Sequence, residues 1–130
     1  TGVFLTSKAA LPLLKAAGNG GEGDAWIINI GSLASRNSFG NGSGYNASKF
    51  GLLGMSEAMM IDLRYEGIRT SIIMPGSVDT YFGGRSPSPE GAWKIQPADV
   101  ARAVMDLLAY PGNSLPSRIE LRPTQPPRKG

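Results

Sequence analysis

The sequence predicts an α/β fold built on a parallel sheet. Two short apolar runs, Ala25–Ile30 and Ile68–Met74, are isoleucine-rich and have the length of buried strands. Helical patterns precede, separate and follow them. A third strand-like run closes the chain near residue 120. Strands alternating with helices are the pattern of parallel βαβ units, and the predicted order is α-β-α-β-lid-α-β.

Residues 3 to about 17 read as a helix, with Val3, Phe4, Leu11 and Leu14 spaced for one face. Pro12 inside it predicts a kink or local break. The run GNGGEGD at 18–24 is a flexible connection. It contains a literal G-x-G-x-x-G at Gly18, Gly20 and Gly23. That pattern cradles a dinucleotide only after a strand and before a helix, and here the order is reversed, so it is rejected. Ala25–Ile30 then reads as a buried parallel strand.

Residues 33 to 44 form a polar Gly/Ser/Asn loop. A long helix follows from about Gly44 to Tyr65, with Phe50, Leu53, Met60, Ile61 and Leu63 as its apolar residues and Gly67 as a C′ glycine. Ile68–Met74 is the second buried strand, stopped by Pro75-Gly76. The irregular stretch 77–96 is too long for an ordinary connection and predicts a lid or binding loop. From Pro97 to about Tyr110 runs a third helix: Pro97 suits the first turn, Asp99 complements the dipole, and Val100, Val104, Leu107 and Leu108 make the stripe. Ser117–Arg122 alternates around Ile119 and Leu121 as a last strand, and the closing PTQPPRKG carries no packing signal.

Composition narrows the chemistry. The 130 residues, 41% hydrophobic, amount to one globular domain. No apolar run approaches the roughly 18 residues of a membrane span, and no signal peptide is legible. The chain begins without Met, as if cut from something longer. With no Cys, disulfides and thiolate chemistry are excluded and a cytoplasmic setting is expected. With no His, Ser-His-Asp hydrolysis and most zinc sites fall away, and no metal is expected. Any acid or base must be Asp, Glu, Lys or Tyr. The net charge of +3 equals the contribution of Ser117–Gly130, where Arg118, Arg122, Arg128 and Lys129 face Glu120. The basicity is a tail effect and argues against nucleic-acid binding.

Three features carry candidate chemistry. Tyr45 and Lys49 lie four apart on a predicted helix and share a face. A phenol titrates near pH 10 when alone, and a neighbouring ammonium lowers that value toward the working range of a general acid-base group. The pair alone is a weak signal, since chance supplies it in about one chain in five of this composition. An aromatic packed on the core beside a snorkelling lysine is the structural alternative. Ser32 ends the first strand, where ligands bind in open α/β sheets. Its hydroxyl can donate to a carbonyl oxygen as charge builds there, or can merely cap a turn. The run MPGSVDT, Met74–Thr80, leaves the second strand with a proline and a glycine that let backbone approach a flat ligand. An ordinary strand exit would look the same.

Taken together, INIGSLAS, GYNASKFGLLG, IRTSIIMPGSVDT and PADVARAV closely resemble the short-chain dehydrogenase/reductase family, over nearly all 130 residues. TGVFLTSKAALPLLK is similar to the helix before the family's serine strand, and RIELRPTQP to its last strand. The resemblance implies the C-terminal half of a Rossmann-like doubly wound parallel sheet. It implies Tyr45 as catalytic acid/base, Lys49 as the group that lowers its pKa and holds the nicotinamide ribose, and Ser32 as the carbonyl-polarising hydroxyl. Pro75, Gly76 and Val78 would line the nicotinamide of NAD or NADP, with Thr80 at its carboxamide or phosphate. Residues 81–96 would form a short substrate loop. The helices at 3–17 and 44–65 would make the bundle of a homodimer or homotetramer. The family's glycine-rich T-G-x-x-x-G-x-G turn, its NAD/NADP selector and its N-N-A-G strand end have no counterpart in these residues. Residues 1–130 are thus expected to be the C-terminal catalytic half, with the N-terminal dinucleotide-binding half absent.

Two functions follow. One is hydride transfer between NAD(P) and a small carbonyl or alcohol, with no membrane or nucleic-acid partner. The other is a non-catalytic remnant or dimerisation module that binds no nucleotide. A hydrolase is disfavoured, because no His and no G-x-S-x-G occur.

Overall fold

The computed structural model describes residues 2–33, 43–79 and 91–128, with the side chains of 43–46, 48 and 49 outside that description. Three strands, β1 (Ala25–Ile30), β2 (Ile68–Pro75) and β3 (Arg118–Leu121), form one parallel sheet in the order β1-β2-β3. Helix α1 (Gly2–Gly18) precedes β1, α2 (Ser43–Leu63) connects β1 to β2, and α3 (Pro97–Leu108) precedes β3. The fold is the α/β, Rossmann-like arrangement the alternation predicts.

The central strand makes the core. In β2, Ile68, Ile72, Ile73 and Met74 have no solvent exposure. A parallel strand with a neighbour on each edge and helices on both faces is buried nearly throughout, which is why IRTSIIMP shows no in-out alternation, with Thr70 and Ser71 buried beside its apolar residues. One face packs on α3, where Ile73 meets Ala103 and Leu107, with Trp26, Ile28, Ile119 and Leu121 around them. Each such aliphatic side chain contributes about 1.5–3 kcal/mol by burial. On the other face Asn29 hydrogen-bonds Ser56 and Arg118 pairs with Glu57, so that face carries α2. Strand order runs steadily from β1 to β3 while the two connecting helices lie on opposite faces. The two crossovers therefore have opposite hands, although about 98% of such units are right-handed.

The ends of the strands away from the candidate site are heavily cross-tied. Arg69, on β2, donates to both oxygens of Asp24 (3.1 and 2.7 Å) and to the carbonyls of Tyr110, Pro111 and Ser114. Its guanidinium also stacks 4.1 Å from the Trp26 ring centre. Only a planar, five-donor group can serve all of these partners at once. Beside it, Gly67 closes the turn after α2 with φ 76°, and a Cβ there would run into the Gly18 backbone. The glycines at 18–23 thus serve a tight helix-to-strand turn, in which Gly20 and Gly21 take positive φ.

Several expectations need correction. The break at Pro12 does not occur: α1 is one helix, and both Pro12 and Lys8, whose carbonyl loses its helical donor, are exposed to water. The α1 stripe is not all inward, since Phe4 is 54% exposed along with Val3, Leu5 and Leu13. On α2, Phe50 and Ile61 face solvent, and on α3 Leu108 does. β1 is only partly buried, because its one strand neighbour among the described residues is β2, and Ile30 is exposed. The last helix begins as expected, with Pro97 in its first turn and the Asp99 carboxylate accepting from the Gln96 N–H at 2.8 Å.

Gly67→Ala is expected to destabilise by more than the about 1–2 kcal/mol of a left-handed alanine, because the clash adds to the conformational cost. Gly112→Ala, at a position with nothing nearby, should stay within about 0.5 kcal/mol. Urea midpoints of the two variants check this. The Asp24–Arg69 pair yields a pH prediction. Its hydrogen bond to Arg69 holds the Asp24 carboxyl below its ordinary value of 3.8. The stability it lends is present above that value and lost as pH falls through the lowered one. The effect is small because Asp24 is 54% exposed. The gap between wild type and Asp24→Asn should hold constant from neutral pH down to about 5 and close below about 4.

Candidate functional site

The site lies at the C-terminal ends of the strands. Ile30 pairs with Ile73, and the Gly31 N–H donates to the Ile73 carbonyl at 2.7 Å. Continuing that register brings Ser32 level with Pro75 and Leu33 level with Gly76. A Cβ on Gly76 would indeed sit 3.2 Å from Leu33 Cδ1. On the other side Pro75 pairs with Leu121, and the Gly76 N–H donates to the Leu121 carbonyl at 2.8 Å. Two loops 43 residues apart in sequence, at Ser32 and Pro75, are thereby neighbours.

Ser32 is half-buried directly after β1, and Pro75 is the buried last residue of β2. Space beside Gly76 is tight, since a Cβ there would also lie 3.3 Å from Pro123 Cδ. Val78 bridges to Ile95, with Asp79 N–H to Ile95 O and Ile95 N–H to Ser77 O both at 2.9 Å. Tyr45 and Lys49 belong to the first two turns of α2. Their side chains lie outside the described residues, as do Thr80 and most of the expected loop at 81–96. Because β1 and β2 are parallel, the helix between them starts at the edge where both strands end, which is the Ser32 edge.

Four contributors escape a reading of the sequence. Leu33 and Leu121 flank Gly76, and Pro123 shows that the closing segment packs here instead of trailing free. Asp79 is only 8% exposed, and a Cβ on Gly91 would come 2.7 Å from its Oδ1, so a side chain at 91 would have to push the carboxylate aside. All four depend on contacts between segments far apart in sequence. The one available signal was a buried-strand exit followed by Asp, a charge in a place where strands are usually apolar. Past Leu121 opens a cavity of about 370 Å³, lined by Trp93, Lys94, Ile95 and Arg122 among others.

A parallel sheet with helices on both faces and its loops gathered at one strand edge is the α/β, Rossmann-like class of fold. The sequence model of the short chain dehydrogenase family matches residues 1–90, and the chain belongs to that family. It is 42% identical over 80 residues to trans-4-hydroxycyclohexanecarboxylate dehydrogenase of Sinomonas cyclohexanicum, covering 62% of this chain and 29% of that protein. It is 30% identical over 123 residues to sepiapterin reductase of Chlorobaculum tepidum, covering 95% of this chain and 48% of the reductase. Among solved structures, an alcohol dehydrogenase from Thermococcus sibiricus complexed with 5-hydroxy-NADP superposes with a TM-score of 0.80 at 30% identity. That match covers 98% of this chain and 52% of the other. The chain therefore spans about half the length, or less, of the relatives it matches.

Gly76→Val should lower stability by about 1–3 kcal/mol, because the added methyls must displace Leu33 and Pro123 in a packed contact. A thermal melt of the variant beside wild type reads this directly.

Proposed function

We propose that residues 1–130 are the C-terminal catalytic half of an oxidoreductase that moves a hydride between NAD or NADP and a carbonyl or alcohol substrate. One observation carries the reading. Ser32 and Pro75-Gly76 end adjacent parallel strands at the edge where α2 begins, with Tyr45 and Lys49 in its first two turns. Family membership supports the reaction class.

In this reading Tyr45 gives its hydroxyl proton to the carbonyl oxygen as the carbon gains the hydride, and takes it back in the oxidative direction. Lys49 favours the phenolate and holds the ribose hydroxyls. Ser32 donates to the same carbonyl oxygen, where negative charge develops. Pro75, Gly76 and Val78 would line the nicotinamide and Thr80 its carboxamide. A glycine at the strand end, with no side chain of its own, suits close approach of a flat ring to the backbone. When bound, the dinucleotide supplies or accepts the hydride.

Among the described residues β1 pairs with a strand on one edge only, and its other edge supports the other part of the proposal. Between it and α1 runs a groove of about 440 Å³ lined by residues such as Val3, Ala10, Leu14 and Ile27. It is suited to further strand-forming chain from a dinucleotide-binding half. Exposed Val3, Phe4 and Leu5 on α1 and Phe50 and Ile61 on α2 support a homodimer or homotetramer. The absence of cysteine suits a cytoplasmic setting. Among the described residues no helix is long and apolar enough to cross a membrane.

The same edge favours the second reading, a non-catalytic assembly module. NADPH fluorescence titration of the chain, with its intact mass recorded, separates the two: tight binding removes the module reading. In the complete protein Tyr45→Phe should lower kcat at least about 100-fold while NADPH still binds, since positioned proton transfer contributes about 10²–10⁴. Unchanged turnover, followed at 340 nm across a panel of aldehydes and ketones, overturns the catalytic assignment.

A further inference from the structure

We infer that the buried Asn29–Ser56 hydrogen bond is the positioning contact that sets how α2 is rotated, and how high it stands, against β1. This rests on the proposed role of Tyr45 and Lys49. Asn29 Nδ2 donates to Ser56 Oγ at 2.7 Å, with the two residues 8% and 3% exposed.

Apolar packing alone holds this helix loosely. Leu52, Leu53, Met59, Met60 and Leu63 share the inward face with Ser56 but are only half-buried, Ser56 is the one buried residue among the described side chains of the helix, and Phe50 and Ile61 are exposed on the opposite face. Hydrophobic contact is non-directional, so such a helix can turn or slide with little penalty. A buried polar pair cannot, because separating it strands a donor and an acceptor away from water. The nearby Arg118–Glu57 pair is about half exposed on both sides and steers only weakly.

Helix geometry then carries the constraint to the site. At 3.6 residues per turn, positions 45, 49 and 56 project within about 40° of one another, with 56 between the other two. Turning position 56 toward β1 therefore turns the 45/49 stripe the same way. Height agrees as well. From Asn29 to Ser32 β1 climbs about 10 Å at 3.3 Å per residue. From Ser56 back to position 49 α2 climbs about 10 Å at 1.5 Å per residue, and to position 45 about 16 Å. The two elements run in opposite directions, so both climbs lead to the same edge of the sheet. One bond three residues below Ser32 thus sets position 49 level with Ser32 and position 45 one helical turn above it.

The chain has no cysteine, so an introduced pair reports cleanly. In a Ser32→Cys/Lys49→Cys chain, intramolecular cross-linking by bismaleimidoethane is followed by mass, well below the melting temperature of each variant, with circular dichroism confirming the fold. Adding Asn29→Leu or Ser56→Ala should slow cross-linking at least about tenfold, because an intramolecular rate follows proximity and orientation. The double variant should be no slower than either single one, and Ser56→Thr should restore the rate. Cross-linking at the reference rate in folded Ser56→Ala overturns the inference, as does failure of the reference pair to cross-link. Should Asn29→Leu not fold, the smaller Ser56→Ala and Ser56→Thr pair decides the matter. The readout needs no turnover, so a failed Tyr45 assignment in the kinetic test leaves this result standing, and the reverse.

Discussion

The parallel pairing of β1 with β2 is the constraint on which everything else depends. Each strand alone is a short isoleucine-rich segment with no reason to end where it does. Joined in the register Ile30 to Ile73, they deliver Ser32 and Pro75 side by side. The bond from the Gly31 N–H to the Ile73 carbonyl carries that register past the last paired residues. A slip of one residue would turn Asn29 from α2 toward α3 and Ile28 the other way, since side chains alternate faces. The buried polar pair and the apolar cluster would both be lost, so the register is set by two incompatible faces at once.

The two ends of the sheet do different work. At the end where strands begin, Arg69 gathers Asp24, Trp26 and three carbonyls, and Gly18 and Gly67 meet backbone to backbone. That end spends its polar groups on one another. At the other end, backbone at Gly76 is left bare between Leu33 and Pro123, and a cavity opens past Leu121. The cross-tied end and the candidate site are thus separated by the length of a strand, and in open α/β sheets ligands bind at the carboxyl ends. The parallel bridge of Val78 with Ile95, with Asp79 tucked against Gly91, closes the base of the connection between β2 and α3.

Much of this was legible from sequence because the elements are locally consistent. The apolar runs at 25–30 and 68–74 became strands within a residue of their expected bounds, and α3 began at Pro97 with Asp99 in its capping role. Membership in the short chain dehydrogenase family was legible too, from the joint spacing of Ser32, Tyr45, Lys49 and Pro75-Gly76. Less legible were the helix faces. Periodicity predicted stripes, but Phe4, Ile61 and Leu108 are exposed, because these helices carry apolar residues on more than the face that packs on the sheet, and period alone does not say which face turns inward. Pro12 misled for a related reason: a lost backbone bond on the wet side of a helix costs less than one inside.

The sequence by itself determined which segments are strands and helices, where they stop, and which residue types are available for chemistry. Those follow from short-range rules: the period of apolar residues, the backbone of proline and glycine, and the absence of His and Cys. Only the tertiary structure decided that Asn29 meets Ser56, that Pro123 closes the Gly76 slot, and that the connections before and after β2 lie on opposite faces. Each of these joins residues at least 27 apart in sequence, and no local propensity encodes them. They arise when β2 is buried from both sides, so that its neighbours must supply a matching apolar face and take up polar groups carried inside, as the Pro116 carbonyl does for the Ser71 hydroxyl.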